Sequence, residues 1–417
     1  MSAFAFRTGP AEGSARLGWF ATPHGVVETP AFMPVGTHAS VRGLAMHEVR
    51  EAGASMVLAN AYHLYLRPGD EMVRALGGLH AFARWDGPML TDSGGYQVFS
   101  LARYRKVTES GVEFRNKLDG SLHQYTPERV MQIERNIGAD IIMQLDELIE
   151  GGSDHRASRK AMERSLRWLE RCRVEFDRLT REGRAPVHPH AAPDGAPLLA
   201  TQHASAAHAD DECRAPAQAL FPIVQGGTYE DLRTASLTGI LQAGDWEGIA
   251  VGGLSVGEAK EAMYATFDTC APLLPWDKPR YLMGVGFPDD LLEAVARGMD
   301  LFDCVAPTRM GRHGTVFTPD GKVQVQKSSH RTDRRPLTDE CPCPACTHYD
   351  RAYLRHLMVT EEPLGARLLA LHNITFLLAL MARARERLRD GAFTTWSADW
   401  LRRYRAGQAR RSTTLPP

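Results

Sequence analysis

Short, nearly continuous apolar runs recur along the chain, and each run ends at a glycine or a polar residue. Runs of this kind are typical of strands buried on both faces, as in a parallel sheet covered by helices. They occupy residues 31–36, 55–60, 87–92, 139–146, 219–227, 248–253, 280–286 and 300–305. Eight buried strands favour a closed barrel, and an open doubly wound sheet is the alternative.

The segments between the runs have the periodicity of helices. In residues 126–138, Thr126 is placed to cap a helix, Pro127 to occupy its first turn and Gly138 to end it. A second segment, 162–176, carries apolar residues at helical spacing with charged residues between them. The alternation predicts an α/β protein with a (β/α)8 TIM barrel.

Two regions depart from this rhythm. Residues 183–218 are rich in Pro, Ala, His and Asp without periodicity, so we expect a flexible surface insertion there. Beyond residue 312 come a hairpin built on Asp320–Gly321, a cysteine cluster and an Arg-rich helical tail. The predicted organisation is a catalytic barrel over 1–312 and a C-terminal zinc-binding and helical subdomain over 313–417, packed on the barrel.

Composition excludes few classes of function. The 417 residues are 43% hydrophobic and 24% charged, as in a globular protein with a sizeable core. Lys and Arg number 49 against 50 Asp and Glu, so a nucleic-acid footprint must be a local patch. We expect a cytoplasmic protein without membrane contact, because neither a secretory signal nor a bilayer-length apolar stretch is apparent.

Three aspartates lie at or near the ends of predicted strands: Asp92, Asp146 and Asp303. Any one of them alone could be a solvated or capping residue. In a barrel, however, the carboxyl ends of the strands meet on one rim, where the catalytic groups of such enzymes lie. The same rim would offer other groups that suit a flat, hydrogen-bonding ring, namely Gln225, Gly252, Gly253, Gly286 and the aromatic face of Tyr96. Paired carboxylates beside such a ring indicate displacement chemistry at a glycosidic carbon of a nucleoside.

The stretch "CPCPAC" places Cys341, Cys343 and Cys346 in one tight loop. Zinc is bound tetrahedrally by four sulfur or nitrogen ligands, so one more residue is needed. We favour His372 as the fourth ligand over His348, because His348 is so near in sequence that closing the tetrahedron would be strained. Four protein ligands make a closed site, which predicts a structural zinc ion. Chance clustering of free thiols is the alternative.

Local basic clusters follow the third aspartate. Most of them, including the Arg-rich tail, have the pattern of a solvated surface. Arg309 and Arg312 are better candidates for contacts with phosphates or bases, since they lie only a few residues beyond Asp303.

Several long motifs resemble those of the tRNA-guanine transglycosylases, in the same order and over nearly the whole chain apart from 183–218. They are "LTDSGGYQVFSL", "QLDE", "FPIVQGG", "VGGLSVGE", "YLMGVG", "LFDCVAPTRMGRHG", "CPCPAC" and "LHNITF". The resemblance implies a zinc-containing (β/α)8 barrel, acting as a homodimer, that exchanges the wobble guanine of certain tRNA anticodons for a 7-deazaguanine base. No soluble cofactor is implied beyond the one structural zinc.

The resemblance also implies roles at matched positions. Asp303 would be the nucleophile that forms a covalent tRNA intermediate, and Asp92 the acid and base. With tRNA as the substrate, the two arginines singled out by their position beyond Asp303, Arg309 and Arg312, are expected to contact the tRNA. The base would be bound by Asp146, Gln225, Gly253 and Leu254 at its edge and by Tyr96 and Met283 on its faces, with Glu258 and Asn60 in support.

The identity of the incoming base depends on small departures from the bacterial pattern. Leu148 stands where the bacterial enzymes usually carry cysteine, and "GGLS" also resembles the eukaryotic queuine-inserting subunit. Val256 keeps the bulk of the bacterial pocket, where the eukaryotic type has glycine. We therefore favour the prequeuosine base, 7-aminomethyl-7-deazaguanine, with queuine as the alternative. A non-catalytic tRNA-binding partner subunit and a hydrolase using zinc as a Lewis acid are the rival functions.

Overall fold

A computed structural model of the chain describes residues 3–101, 104–117, 119–183 and 217–412. The insertion predicted at 183–218 lies outside the described residues apart from its two ends. The same holds for its four histidines, His188, His190, His203 and His208.

Seventeen strands, numbered in chain order, make up the β structure of the described residues. They are β1 (Ala5–Glu12), β2 (Ala15–Thr22), β3 (Gly25–Thr29), β4 (Ala31–Pro34), β5 (Val57–Asn60), β6 (Met89–Asp92), β7 (Arg105–Val107), β8 (Val112–Arg115), β9 (Leu122–Tyr125), β10 (Ile141–Met143), β11 (Ala219–Phe221), β12 (Ile223–Val224), β13 (Ile249–Val251), β14 (Arg280–Leu282), β15 (Leu301–Cys304), β16 (Thr315–Thr318) and β17 (Gly321–Gln324).

The fifteen described α-helices are α1 (Met46–Glu51), α2 (Ala61–Leu66), α3 (Asp70–Ala75), α4 (Gly78–Ala83), α5 (Gly95–Ser100), α6 (Pro127–Ile137), α7 (His155–Glu182), α8 (Glu230–Ala243), α9 (Lys260–Cys270), α10 (Pro288–Ala296), α11 (Ala306–Arg312), α12 (Pro344–Thr347), α13 (Arg351–Val359), α14 (Pro363–Arg389) and α15 (Phe393–Ser412). The helix α6 begins and ends where the sequence predicts. Thr126 Oγ1 accepts a hydrogen bond from Arg129 N at 3.2 Å, and Gly138 ends the helix with φ of 78°.

Parallel strands close into a barrel, which confirms the predicted fold class. Pairing runs from β5 through β6 and β10 to β11, and from β12 through β13, β14 and β15 to β4. Only Pro222 separates β11 from β12, and a parallel bridge between Val35 and Leu58 joins β4 to β5. Each of the eight predicted runs therefore contributes to one position in the barrel wall.

The barrel interior is filled by apolar side chains from alternate positions of the strands. Members of this cluster are no more than 2% exposed at Leu58, Leu90, Ile141, Phe221 and Tyr281. A packed interior leaves no channel through the barrel, so ligand chemistry is confined to the rims and their loops.

Two antiparallel sheets were not predicted. The strands β1, β2 and β3 form one sheet before the barrel, and β7, β8 and β9 form another between β6 and α6. The prediction relied on continuous apolar runs, whereas β1 and β9 are largely exposed on one or both faces. Strands of that kind lack the apolar run on which the barrel strands were recognised.

The C-terminal region consists of the predicted hairpin followed by helices. Thr318 pairs with Gly321, so the two loop residues are Pro319 and Asp320, and Gly321 begins β17 with φ of 93°. Among the described residues, α14 is the one helix long and apolar enough to span a membrane, and 78% of its most apolar window is buried inside the protein. It contacts α11, β4 and β16, as expected of a core helix.

Candidate active site

The carboxyl ends of the barrel strands bring the three predicted aspartates together. Asp92 is the last residue of β6, Asp303 lies in β15, and Asp146 follows β10 by three residues. The charges of Asp303 and Asp146 both act to raise the pKa of Asp92, which reflects their proximity. Like charges gathered in this way destabilise a fold and are typical of functional sites.

Asp92 is held by two amide side chains. The side-chain nitrogens of Asn60 and Gln97 both donate to Oδ2 of Asp92, the latter at 3.1 Å. The other oxygen, Oδ1, is buried and has no hydrogen-bond partner among the described residues. Burial raises the pKa of Asp92 to about 7, and these two hydrogen bonds offset only part of the effect. A carboxyl group poised near neutral pH can both give and accept a proton.

Asp92→Asn is expected to stabilise the fold at pH 8. The pKa of about 7 lies above the ordinary 3.8. Below pH 4 Asp92 is protonated in both states and does not lower the free energy of unfolding, which then decreases as the pH rises towards 7. We expect the variant to gain up to about 4 kcal/mol in the free energy of unfolding at pH 8 and little at pH 4. Denaturant unfolding at both pH values measures the difference. Asp277→Asn, which alters an exposed carboxyl group, is the control, and a gain independent of pH would contradict the burial argument.

Asp303 is held through one oxygen only. Its Oδ1 accepts hydrogen bonds from the hydroxyl of Tyr281 and the backbone N–H of Gly284, each at 2.7 Å. Burial raises the pKa of Asp303 from its ordinary value, and both hydrogen bonds act in the opposite direction. Among the described residues, no hydrogen bond reaches Oδ2, so this oxygen is free to react.

Asp146 and Gln225 form a buried polar pair beside these carboxylates. Gln225 Nε2 donates to Asp146 Oδ2 at 2.6 Å. The backbones of two glycines pack closely against the pair. A Cβ at Gly95 would lie 2.3 Å from Asp146 Oδ1, and one at Gly253 would lie 2.3 Å from Gln225 Oε1. Gly253 also has φ of 67°. Side chains at these two positions would displace the polar pair.

The predicted aromatic and sulfur faces flank this pair. Tyr96 lies on α5 and is 56% exposed, which leaves its ring open to a ligand. Met283 directly follows β14 and is partly buried, with its sulfur 3.4 Å from the position of a Cβ at Gly252. The two residues therefore both lie just beyond the carboxyl ends of barrel strands, Tyr96 after β6 and Met283 after β14.

The loop after β13 is braced by Glu258. Its carboxylate accepts hydrogen bonds from the backbone N–H groups of Ser255 and Val256, the latter at 2.9 Å. Ser255 has φ of 60°, a strained conformation that these bonds help to hold. Leu254, in the same loop, is buried with 4% exposure.

A basic cluster lies beyond Asp303 on α11. Arg309 is exposed and Arg312 is partly buried, and the charges of Arg42 and Arg309 lower the pKa of Arg312 together with its burial. Arg42, which comes from the loop after β4, was not predicted. Nothing in its local sequence marks it, because only the closure of the barrel brings β4 beside β15.

Two further residues of the rim were missed. Arg233 is 1% exposed and donates to the backbone carbonyl groups of Val224, Gly252 and Gly227, which ties the ends of β12 and β13 together. Tyr281 donates to Asp303 from inside the barrel. For Tyr281 the available signal was a polar residue within a buried apolar strand. Arg233 lies in α8, where its local sequence resembles that of other charged helix residues.

The cysteine cluster includes the histidine that the sequence favours. Nδ1 of His372 lies 3.4 Å from the sulfur of Cys343 and 3.3 Å from that of Cys346, and Cys341 completes the group. A tetrahedral zinc with bonds of about 2.3 Å to sulfur and 2.0–2.1 Å to nitrogen requires donor atoms roughly 3.5 Å apart. The four residues could therefore hold a metal ion, whereas His348 is exposed and lies outside the cluster.

Nε2 of His372 lies 2.8 Å from the carbonyl oxygen of Phe317, an arrangement that leaves Nδ1 as the ligand atom. His372 is completely buried on α14, and its neighbour Asn373 donates to the carbonyl groups of Pro307 and Thr315. The cluster thus connects the hairpin and α14 to the helix that follows Asp303.

A second group of possible ligands, His24, His80 and Asp140, has a different character. The two imidazole rings are stacked, with centroids 3.6 Å apart and planes 13° apart, and each contacts a different oxygen of Asp140. Parallel rings direct their nitrogen lone pairs side by side and not towards one point. We interpret this group as a hydrogen-bonded cluster, which lowers the pKa of Asp140 to about 2 despite the opposing effect of its burial.

Comparison with known proteins gives one consistent result. A family model described as queuine tRNA-ribosyltransferase matches residues 11–406. Proteins named queuine tRNA-ribosyltransferase are similar to the chain: that of Desulforamulus reducens is 48% identical over 94% of this chain and 96% of its own length. That of Solidesulfovibrio magneticus is 46% identical over 97% of this chain and 98% of its own length. That of Symbiobacterium thermophilum is 47% identical over 95% of this chain and 90% of its own length.

Proposed function

Because this chain belongs to the queuine tRNA-ribosyltransferase family, the tRNA-guanine transglycosylases, we propose that it exchanges the wobble guanine of tRNA for a 7-deazaguanine base in queuosine biosynthesis. The observation that supports this most directly is the pair of carboxyl groups at the rim of the barrel. Asp303 offers one unengaged oxygen beside a second carboxyl group, Asp92, whose pKa is about 7.

The proposed reaction is a double displacement. Oδ2 of Asp303 attacks the anomeric carbon of the ribose, the bond to guanine breaks, and Asp92 donates a proton to the departing base. The incoming base then loses its proton to Asp92 and attacks the same carbon, which releases Asp303 as a carboxylate. One N-glycosidic bond replaces another, so the reaction needs no energy-supplying cofactor. A base flipped out of the anticodon loop gives the carboxylates access.

Recognition of the base is assigned to the buried polar pair and its glycine-rich surroundings. Asp146 would accept hydrogen bonds from ring N–H and amino groups, and Gln225 and the backbone of Gly253 and Leu254 would donate or accept at the opposite edge. The ring of Tyr96 and the sulfur of Met283 would cover the two faces. Glu258 and Asn60 would support this arrangement through the hydrogen bonds described above.

The metal of the Cys341, Cys343, Cys346 and His372 cluster is proposed to be one structural zinc ion for each chain. Three thiolates and an imidazole suit zinc, and four protein ligands leave no open position for substrate. Its contribution is to hold the hairpin and α14 together, and the proposal therefore assigns it no chemical step.

The prequeuosine base is proposed as the incoming base in preference to queuine. Val256, with Gly253 and Glu258, lines a small cleft beside the rim, and we infer that its side chain would obstruct the bulkier 7-substituent of queuine. Incubating guanine-labelled tRNA with each base in turn measures the exchange. We expect release of guanine with the prequeuosine base and at least about tenfold slower release with queuine, a difference of about 1.4 kcal/mol.

The two alternatives give different results in the same assay. Fast exchange with queuine and none with the precursor would reverse the proposed base preference. Absence of exchange with either base would favour a non-catalytic tRNA-binding partner subunit.

Arg309 and Arg312 are proposed to bind the tRNA backbone near the anticodon, since they present positive charge next to the reacting carboxylate.

We also propose a homodimer in the cytoplasm, where the tRNA substrate is found. The stacked rings of Tyr349 and Tyr353, the latter 41% exposed, offer an aromatic surface for the second copy. Light scattering should give twice the chain mass of 46.1 kDa, and a value of one chain mass would refute the dimer.

A further inference from the structure

Tyr281 is a polar residue within the packed interior of the barrel. Its side chain is fully buried in the apolar cluster that fills the barrel. The hydroxyl reaches the rim and donates to Oδ1 of Asp303 at 2.7 Å. Burying a phenol costs free energy unless its hydroxyl is hydrogen-bonded, and in this protein the partner is the proposed nucleophile.

We propose that Tyr281 is a positioning residue for the transglycosylation, which holds Asp303 through Oδ1 and thereby presents Oδ2 as the attacking atom. The inference rests on the proposed function. The backbone N–H of Gly284 donates to the same oxygen, also at 2.7 Å, so both donors engage one edge of the carboxylate. A carboxylate bound at two points on one oxygen cannot rotate freely, which orients the other oxygen towards the ribose.

The hydroxyl is a permanent donor over the working pH range. Burial, the charge of Asp303 and the hydrogen bond itself raise the pKa of Tyr281 well above its ordinary value. The other titratable or charged groups around the pair include Asp92, Cys304 and, next to Cys304, Arg309 and Asp290. None of them bonds to Oδ1 in the described structure.

The same bond has opposite effects on the two halves of the reaction. In the first half, Asp303 loses negative charge as it attacks, so the donors on Oδ1 slow this step somewhat. In the second half, Asp303 leaves as a carboxylate, and the donors stabilise the charge that develops. The bond also keeps Asp303 ionised in a buried setting, because it lowers the pKa that burial raises.

Tyr281→Phe tests the inference, since the phenyl ring keeps the apolar contacts and removes only the hydroxyl group. We expect kcat for guanine exchange to fall about 10–100-fold with KM for tRNA nearly unchanged, as expected for the loss of one hydrogen bond to a charged group. The acid limb of the pH profile of kcat/KM should move to higher pH, since Asp303 loses a bond that favours its ionised form. 3-Fluorotyrosine at position 281, a stronger donor of similar shape, should move the limb in the opposite direction.

Tyr264→Phe is the matched control. Tyr264 also donates to an aspartate, Asp290 at 2.6 Å, but the pair packs between α9 and α10, outside the proposed catalytic residues. This variant should keep the wild-type profile. An active wild type with an unshifted acid limb in Tyr281→Phe would overturn the positioning role and leave the proposed function intact. A wild type without exchange would instead refute the proposed function.

Discussion

Asp303→Ala is expected to abolish guanine exchange, with a loss of at least about 10⁴-fold in kcat, because the proposed mechanism assigns the covalent bond to the ribose to this carboxylate. Asp303 is held through Oδ1 alone, by the hydroxyl of Tyr281 and the N–H of Gly284, and no side-chain amide binds it in the described structure. Asp92 and Asp146, in contrast, are each bound by side-chain amides. Binding of tRNA should persist, since Arg309 and Arg312 remain.

The decisive measurement is a covalent adduct between protein and tRNA. Wild-type protein mixed with tRNA and denatured rapidly should show an adduct on a denaturing gel, and Asp303→Ala should show none. Asp268→Ala, which removes an exposed carboxylate on α9, serves as the control and should form the adduct normally. An alanine variant that exchanges guanine at the wild-type rate would show that another residue is the nucleophile.

Cys343→Ser is expected to remove the metal and to destabilise the protein strongly. Cys343 is 2% exposed and contacts His372, so its loss leaves an incomplete tetrahedron inside a packed region. Structural zinc sites contribute apparent binding free energies of about 10–16 kcal/mol in small peptides, and part of this contribution supports folding. We expect the zinc content to fall from one ion per chain to nearly none and the melting temperature to fall by more than about 10 °C.

Cys270→Ser is the matched comparison, since Cys270 is also buried but lies outside the metal cluster. It should keep its zinc, which separates loss of the metal from the general effect of a hydroxyl group in a core. Removing the metal without unfolding the protein also tests the rival hydrolase. If chelation stopped the chemistry while the melting temperature stayed constant, zinc would be acting on the substrate and the structural role would be wrong.

Much of the barrel could be predicted because its strands are buried on both faces. Such strands carry their own local signal, a short apolar run, and all eight of the predicted runs contribute to the barrel wall. The helix α6 was predictable for a similar reason, since its cap, first turn and end are encoded by Thr126, Pro127 and Gly138. The sheets formed by β1–β3 and β7–β9 have exposed faces and a mixed pattern of apolar and polar residues, so the sequence did not predict them.

The candidate site residues could likewise be predicted where a local sequence pattern marks them. Their types and order identified the family correctly, and the roles of the individual residues stay predictions until variants are measured. Asp92, Asp146 and Asp303 could be suspected because each stands at or near a strand end, where the geometry of a barrel gathers side chains. The choice of His372 over His348 also followed from local reasoning about strain, and the structure places His372 with the three cysteines.

Taken alone, the sequence determined the fold class, the candidate carboxylates and the candidate metal ligands, because each depends on short-range patterns. The tertiary structure decided which oxygen of Asp303 is held and that burial raises the pKa of Asp92 to about 7. It also placed Tyr281, Gly284, Arg42 and Arg233 beside the candidate residues. These properties arise from distances and desolvation between segments far apart in the chain. Closure of the barrel determines these distances and this desolvation, and the spacing of neighbouring residues in the sequence predicts neither of them.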